Sequence, residues 1–184
     1  MVVFTCNDNF ESMMTCIYDA WAARLGHANI RLQTEPVGNL ELFCEYRHID
    51  ADQKKVKKVI SSIQKKISWE AYQWVYAASM SFRQDKLDMI YRFLILGFAT
   101  GPNVTKMLGH PYTSGVFELK RKVYNECHQF REFLRFSRLE NQVLFSIIEP
   151  KCNILTLLAP HFEDRMPSEN WMITDKARML SIVH

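Results

Sequence analysis

The sequence is poor in glycine and contains none of the glycine-rich loops that cradle phosphate. Only six of its 184 residues are glycine. Neither the dinucleotide pattern G-x-G-x-x-G nor the P-loop pattern G-x-x-x-x-G-K-[ST] occurs. The G-x-S-x-G pattern is also missing, which removes the usual nucleophile elbow of serine hydrolases. The common nucleotide-binding and hydrolase signatures therefore do not explain this chain.

Cysteine pairs and apolar runs are also missing. The chain has five cysteines with no C-x-x-C spacing, and it has no H-E-x-x-H motif. An odd, scattered set is not typical of a disulfide framework or a structural zinc site, so we expect reduced thiols and no cofactor. No basic leader precedes an apolar core, and no apolar run approaches the roughly 20 residues that span a bilayer. The expected location is the cytoplasm, with no membrane contact.

The chain is rich in apolar and aromatic residues. Apolar residues make up 48% and aromatic residues 12%, the net charge is +3, and the pI is about 8.6. This composition predicts one folded domain over residues 1–184. The basic bias is well below that of a protein that coats DNA, so it permits a nucleic-acid partner without implying one.

The hydrophobic pattern predicts an α+β fold. Val2 to Cys6 is typical of a strand, and a capping box at Asp8 opens a helix whose apolar face runs to Leu25. Residues 28–52 are irregular, and residues 53–130 form a helical middle. The second helix carries six lysines that either follow a phosphate backbone or form a solvated face: Lys54, Lys55, Lys57, Lys58, Lys65 and Lys66.

The pattern changes to a period of two in the region of residues 132–184. Residues 133–139 and 143–149 are predicted to form an antiparallel hairpin that turns at Glu140 and Asn141. A short helix follows and ends at Pro160, and residues 161–166 form a polar connector. A strand is predicted at 171–174, and residues 179–183 form either a last strand or a helix. We expect a C-terminal antiparallel sheet, which the first strand could join.

The stretch from His128 to Arg178 carries most of the polar groups that could do chemistry. His128 and His161 are candidate acid–base groups, with Asp175 as the residue that orients them. The alternative is that each imidazole binds a backbone carbonyl or caps a helix. His161, Asp164 and Asp175 with Glu149 match no metal-ligand spacing, so no metal site is predicted.

Four arginines and a tryptophan are candidate contacts for nucleic acid. Each arginine could bind phosphate with two parallel hydrogen bonds or form a structural ion pair with a nearby carboxylate. Trp171 could stack on a base or anchor the core. The four arginines are Arg131, Arg135, Arg165 and Arg178.

Long motifs in the same region resemble one family. They are H-x-F-x-x-F-L-R-F from His128, I-L-x-L-L-A-P-H-F-x-x-R from Ile154, and P-x-x-x-W-x-I-x-D-x-x-R from Pro167. Shorter matches include I-Y-D-A-W from Ile17 and Y-R-F-L-x-L-G-F-x-x-G from Tyr91. The chain resembles the DNA metabolism proteins of domain-of-unknown-function family 4130, over nearly its whole length.

The resemblance implies a role in DNA repair or modification beside a radical S-adenosylmethionine (SAM) protein. Similar domains are also fused to a uracil-DNA glycosylase-like domain, which this chain would lack, and they commonly continue with an acidic segment. Three hypotheses follow. The chain is a non-catalytic accessory protein that binds DNA or the radical SAM partner around His128, Arg135, His161 and Arg165. Alternatively it is an enzyme acting on a nucleic acid or nucleotide, or a scaffold that only docks the partner. Whether it is an enzyme stays open at this point.

Overall fold

The structure is a computed structural model that describes residues 1–139 and 142–184. The chain forms two compact units, Met1–Lys120 and Arg121–His184, where the sequence predicts one domain. Each unit has its own sheet. The α+β class predicted from the sequence is confirmed.

The first unit opens with strands and continues with helices. Its elements are β1 (Val2–Cys6), α1 (Phe10–Ala22), β2 (Ile30–Thr34), β3 (Glu45–His48), α2 (Gln53–Lys66), α3 (Trp69–Ser79) and α4 (Lys86–Thr100). Helix α5 (Pro111–Phe133) begins in this unit and ends in the second. Short 3-10 turns occupy His27–Asn29 and Gly101–Lys106.

Strand β1 lies in the middle of a parallel sheet of order β2-β1-β3. The prediction that it joins the C-terminal sheet is therefore wrong. Val3, Phe4 and Cys6 are almost completely buried, so β1 needs partners along both edges and cover on both faces. The segment between residues 28 and 52, which the sequence left irregular, supplies both partners as β2 and β3.

The helices of the first unit begin at side-chain caps. Asp52 accepts hydrogen bonds from the first amides of α2, and Ser68 accepts one from Ala71 in α3. Helix α1 is capped by Asn9, whose Oδ1 accepts from the Ser12 amide at 2.8 Å, and not by Asp8 as predicted. Asp8 is instead the ion-pair partner of the buried Lys86 at the start of α4.

Side chains of α4 cover the outer edge of β2. Asp88 Oδ1 accepts from the Leu32 amide at 3.2 Å, and Arg92 donates to the Ile30 carbonyl. A bare edge would offer unpaired amides and carbonyls to another chain. These two contacts close that edge and fix α4 against the sheet.

The second unit contains a four-stranded sheet of order β4-β5-β6-β7. Its elements are the end of α5, then β4 (Ser137–Arg138), β5 (Leu144–Ile148), α6 (Leu155–Arg165), β6 (Trp171–Asp175) and β7 (Leu180–Val183). The β4–β5 and β6–β7 pairs are antiparallel, as predicted. The β5–β6 pair is parallel, because α6 carries the chain back across the sheet. The turn predicted at Glu140 and Asn141 lies outside the described residues.

Two predicted boundaries in this unit are wrong. The first hairpin strand is only Ser137–Arg138, since α5 continues through Phe133. Helix α6 does not end at Pro160 but includes it and extends through the predicted connector to Arg165. Phe162 is 1% exposed, so the helix continues because its second half has a buried anchor that outweighs the one amide lost at proline.

Candidate functional site

Asp175 and Arg178 form the corner between β6 and β7. Asp175 is 0% exposed, and its Oδ1 accepts from the amides of Ala177 and Arg178 at 3.0 and 3.2 Å. Arg178 donates to Asp175 Oδ2 at 2.7 Å and to the carbonyls of Pro150 and Lys151. The carboxylate and the guanidinium are thus engaged with each other and with backbone. This arrangement suits a structural ion pair rather than a phosphate clamp or an orienting carboxylate.

Trp171 lies inside the second unit. It is 1% exposed, its ring stacks on His184 at a centroid distance of 5.3 Å, and Phe162 meets it edge-on at 6.3 Å. A base could reach this indole only if the core opened. The position favours the core-anchor alternative over base stacking.

The two candidate acid–base histidines lie on different helices. The His128 side chain on α5 is 71% exposed, and its Nε2 lies 3.1 Å from Glu132 one turn along the helix. His161 on α6 meets Phe162 edge-on at 5.0 Å, and its Nε2 is buried with no hydrogen-bond partner among the described residues. Within residues 1–139 and 142–184, no hydrogen bond joins either imidazole to the other or to Asp175.

Arg131 connects the two helices of the second unit. Its Nη2 donates to the Leu157 carbonyl at 2.7 Å, which attaches α5 to α6. Burial raises the pKa of the neighbouring Cys127 thiol, against the opposing effect of the Arg131 charge. The Nη2 atom of Arg131 is therefore engaged internally, whereas its Nε is buried without a hydrogen-bond partner among the described residues.

Arg135 and Arg165 remain exposed, and neither has a hydrogen-bond or ion-pair partner among the described residues. Arg135 precedes Phe136, whose ring meets Phe162 edge-on at 5.3 Å, and Arg165 follows Phe162 by one helical turn. The two guanidinium groups thus belong to segments that meet at one aromatic contact. We call Arg135, Arg165 and the 74%-exposed Phe133 at the end of α5 the arginine surface.

A second feature, which sequence reasoning missed, is a cleft in the first unit. It has a volume of about 490 Å³ and lies between α1 and α2, with Phe98 of α4 in its wall. We call it the Trp21 cleft; its aromatic and basic lining consists of Tyr18, Trp21, Arg24, Lys58, Lys66 and Phe98. The sequence signal was available, since Trp21 and Arg24 are three residues apart and Lys58 and Lys66 eight apart. The apolar face predicted for α1 includes Tyr18 and Trp21, and such a face is typical of packing into the core, which hides the cleft.

The described residues contain neither a cluster of metal ligands nor a helix that could span a membrane. No group of three histidine, cysteine or acidic side chains in residues 1–139 and 142–184 lies close enough to hold a metal ion. None of the helices in that part of the chain combines the length and the apolar character needed to cross a bilayer.

Comparison with known proteins gives a family without an activity. No curated protein matches the chain. Residues 84–184 match the model of a domain of unknown function, DUF4130. This span covers more than half of the chain and contains α4, α5, α6 and the whole second sheet. The chain therefore belongs to the DUF4130 family.

Proposed function

We propose that this protein is a non-catalytic accessory protein of DNA repair or modification that binds nucleic acid through the arginine surface. The observation that carries the proposal is the contrast between the four candidate arginines. Arg131 and Arg178 donate to backbone carbonyls, and Arg178 also to a carboxylate. Arg135 and Arg165 are exposed and have no such partner among the described residues. Exposed guanidinium groups are suited to phosphate contacts, and an exposed aromatic ring such as Phe133 is suited to base contacts.

The arrangement of the other candidate residues weighs against the enzyme hypothesis. An acid–base mechanism needs its groups in one cleft. Asp175 is engaged by Arg178, His128 lies beside Glu132 on an exposed helix face, and the Nε2 of His161 is buried. We therefore place the chemistry in a partner. The family resemblance supports a cytoplasmic radical SAM protein in that role, with a uracil-DNA glycosylase-like domain in fused relatives.

The test is binding to single-stranded and double-stranded DNA, measured by fluorescence anisotropy between about 50 and 200 mM salt. Arg135→Gln with Arg165→Gln is expected to weaken binding about tenfold at the lower salt concentration. The slope of log K against log salt should also fall by about 1.4 to 1.8, which corresponds to two lost phosphate contacts.

The matched control is Lys54→Gln with Lys57→Gln, which removes the same charge from the exposed face of α2. Equal weakening by both pairs would show that overall charge, not the arginine surface, is responsible. If the wild-type protein does not bind either DNA at about 50 mM salt, the nucleic-acid role is overturned. Co-purification with the radical SAM protein without DNA would then favour the docking scaffold.

A further inference from the structure

The Trp21 cleft follows directly from the spacing of residues on two neighbouring helices. Tyr18 and Trp21 are three residues apart on α1, and Lys58, Ser62 and Lys66 are each four apart on α2. Each set therefore lies along one side of its helix. Because α1 and α2 pack together, one wall of the cleft is aromatic and the facing wall is basic.

The aromatic wall is held in place by other rings. Trp21 is 36% exposed, and Phe98, Tyr91 and His27 meet it edge-on at centroid distances of 5.3, 6.0 and 4.7 Å. The contact network is itself anchored, since His27 Nδ1 lies 2.7 Å from the buried Tyr91 hydroxyl. Burial raises the pKa of Tyr91 to about 12, so this hydroxyl keeps its proton. Trp21 is thus a fixed, partly exposed indole, as a stacking surface requires.

The basic wall carries charge that the rest of the unit does not neutralise. Lys55 donates to both carboxylate oxygens of Asp19 at 2.7 Å. The carboxylate of Asp19 on α1 is therefore paired with Lys55 and not with a cation of the cleft. Lys58 lies over the Tyr18 ring at 5.6 Å, and none of Arg24, Lys58 and Lys66 has a carboxylate partner among the described residues. No aspartate or glutamate is among the residues that line the cleft.

Arg24 lies where two spaces meet. Its φ of 52° is the left-handed conformation in which helices commonly end, so it reflects the end of α1. It stands just beyond α1, and it lines both this cleft and an adjoining cavity of about 420 Å³ that also borders Trp21. The backbone thus places a cation where the two spaces meet.

We infer that the Trp21 cleft binds a nucleoside phosphate, with the base against Trp21 and the phosphate near Arg24, Lys58 and Lys66. A purely apolar ligand would offer no negative charge to the three cations of the cleft. Inorganic phosphate would offer no ring to stack on its aromatic wall. The volume of about 490 Å³ lies within the usual range of small-ligand sites. The nucleoside phosphate is either a free nucleotide or an unpaired nucleotide of a single strand. The inference does not rest on the arginine surface, which belongs to the other unit.

The test is isothermal titration of the full chain with dAMP, with 2-deoxyribose 5-phosphate, and with a short adenine oligonucleotide that lacks terminal phosphates. Trp21→Leu is expected to lower the affinity for dAMP about tenfold, toward that of the sugar phosphate, because it removes stacking. Lys58→Gln with Lys66→Gln should weaken dAMP by a similar factor through lost charge-assisted contacts. This pair changes exposed positions only, so it tests the site even if Trp21→Leu unfolds.

Lys54→Gln with Lys57→Gln serves as the control on the same helix, and it should leave dAMP binding unchanged. If dAMP binds more tightly than the oligonucleotide, the ligand is a free nucleotide. If the oligonucleotide binds more tightly than dAMP, the ligand is an unpaired nucleotide of a single strand. If neither probe binds at millimolar concentration, or if the sugar phosphate binds as well as dAMP, the inference is overturned. Substitutions in the arginine surface are expected to leave dAMP binding unaffected, so the two sites can fail independently.

Discussion

Asp175 lies where solvent is excluded, and its hydrogen bonds decide what it can do. Its oxygens accept two turn amides and one guanidinium, so most of its acceptor capacity is used within the corner between β6 and β7. The carboxylate that makes Asp175 a catalytic candidate in the sequence is therefore used, in the structure, to hold the β6–β7 hairpin.

Substitution of Asp175 is expected to destabilise the protein. Asp175→Ala leaves Arg178 without its partly buried ion-pair partner and the turn without its acceptor, which should cost about 3 kcal/mol or more. Urea denaturation followed by circular dichroism measures this change. Lys176→Gln, which removes an exposed pair with Glu149, should leave the midpoint almost unchanged. A wild-type midpoint for Asp175→Ala would show that the ion pair does not hold the hairpin.

The site could be predicted from the sequence only as a set of residues with alternatives. The sequence indicated that Arg131, Arg135, Arg165 and Arg178 each bind either phosphate or an internal partner. Sequence spacing could not separate them, because the partners of Arg131 and Arg178 are backbone carbonyls brought near by the fold. The spacing of Trp21 and Arg24 and that of Lys58 and Lys66 can be read from the sequence. The exposure of Trp21 cannot, because its helical spacing is also that of a core residue.

At the scale of elements, strong periodicity was predictive and weak periodicity was not. The helices α1 to α5 and the strands β5 to β7 were found, because each carries a clear apolar stripe or alternation. Strand β3 was missed because its four residues, Glu45–His48, are mostly exposed and polar. It exists because β1 needs a second partner, which is information that the segment itself does not contain.

The ends of β2 and β3 are joined by an ion pair that responds to pH. Glu35 follows β2, and its Oε1 lies 2.7 Å from Nδ1 of His48, the last residue of β3, while Asp50 lies 3.3 Å from the other ring nitrogen. The hydrogen bond to Glu35 raises the pKa of His48, and the same bond lowers the pKa of Glu35. The histidine contribution to stability is complete below about 6.5 and is lost as pH rises through the raised pKa. The glutamate contribution is present above about 4.5 and is lost as pH falls through the lowered pKa.

We therefore expect the melting temperature of the wild-type protein to fall more between about pH 6 and pH 8.5 than that of His48→Gln. The difference should be small, because the side chains of His48 and Glu35 are 41% and 35% exposed and solvent screens the pair. Differential scanning calorimetry of both proteins in matched ionic strength measures it. Parallel pH profiles for the two proteins would contradict the assignment of this dependence to His48.

At the scale of the whole molecule, the family boundary and the structural boundary do not coincide. The family match begins at residue 84, inside the first unit, whereas the structural division follows Lys120. The parallel sheet and the helices α1 and α2 that form most of the Trp21 cleft lie before the matched span. A family assignment alone would therefore not direct attention to the cleft.

The two units are expected to differ in local stability. The second is roughly half as long as the first, and a shorter chain buries a smaller fraction of its surface. Native-state hydrogen exchange should therefore show the slowest amides in β1, α3 and α4, and faster exchange in β5 and β6. Equal protection in both sheets would indicate that the chain opens as one cooperative unit, as a single-domain chain would.

The central position of β1 matters while the chain is being synthesised. Strand β1 is synthesised before both of its neighbours, β2 and β3, and the second neighbour is complete only at His48. Until β3 is complete, one edge of the apolar strand β1 has no hydrogen-bonding partner. Such an edge can pair with the wrong strand or with another chain. Slow translation of the stretch between β2 and β3 would prolong that exposure, whereas rapid translation would shorten it.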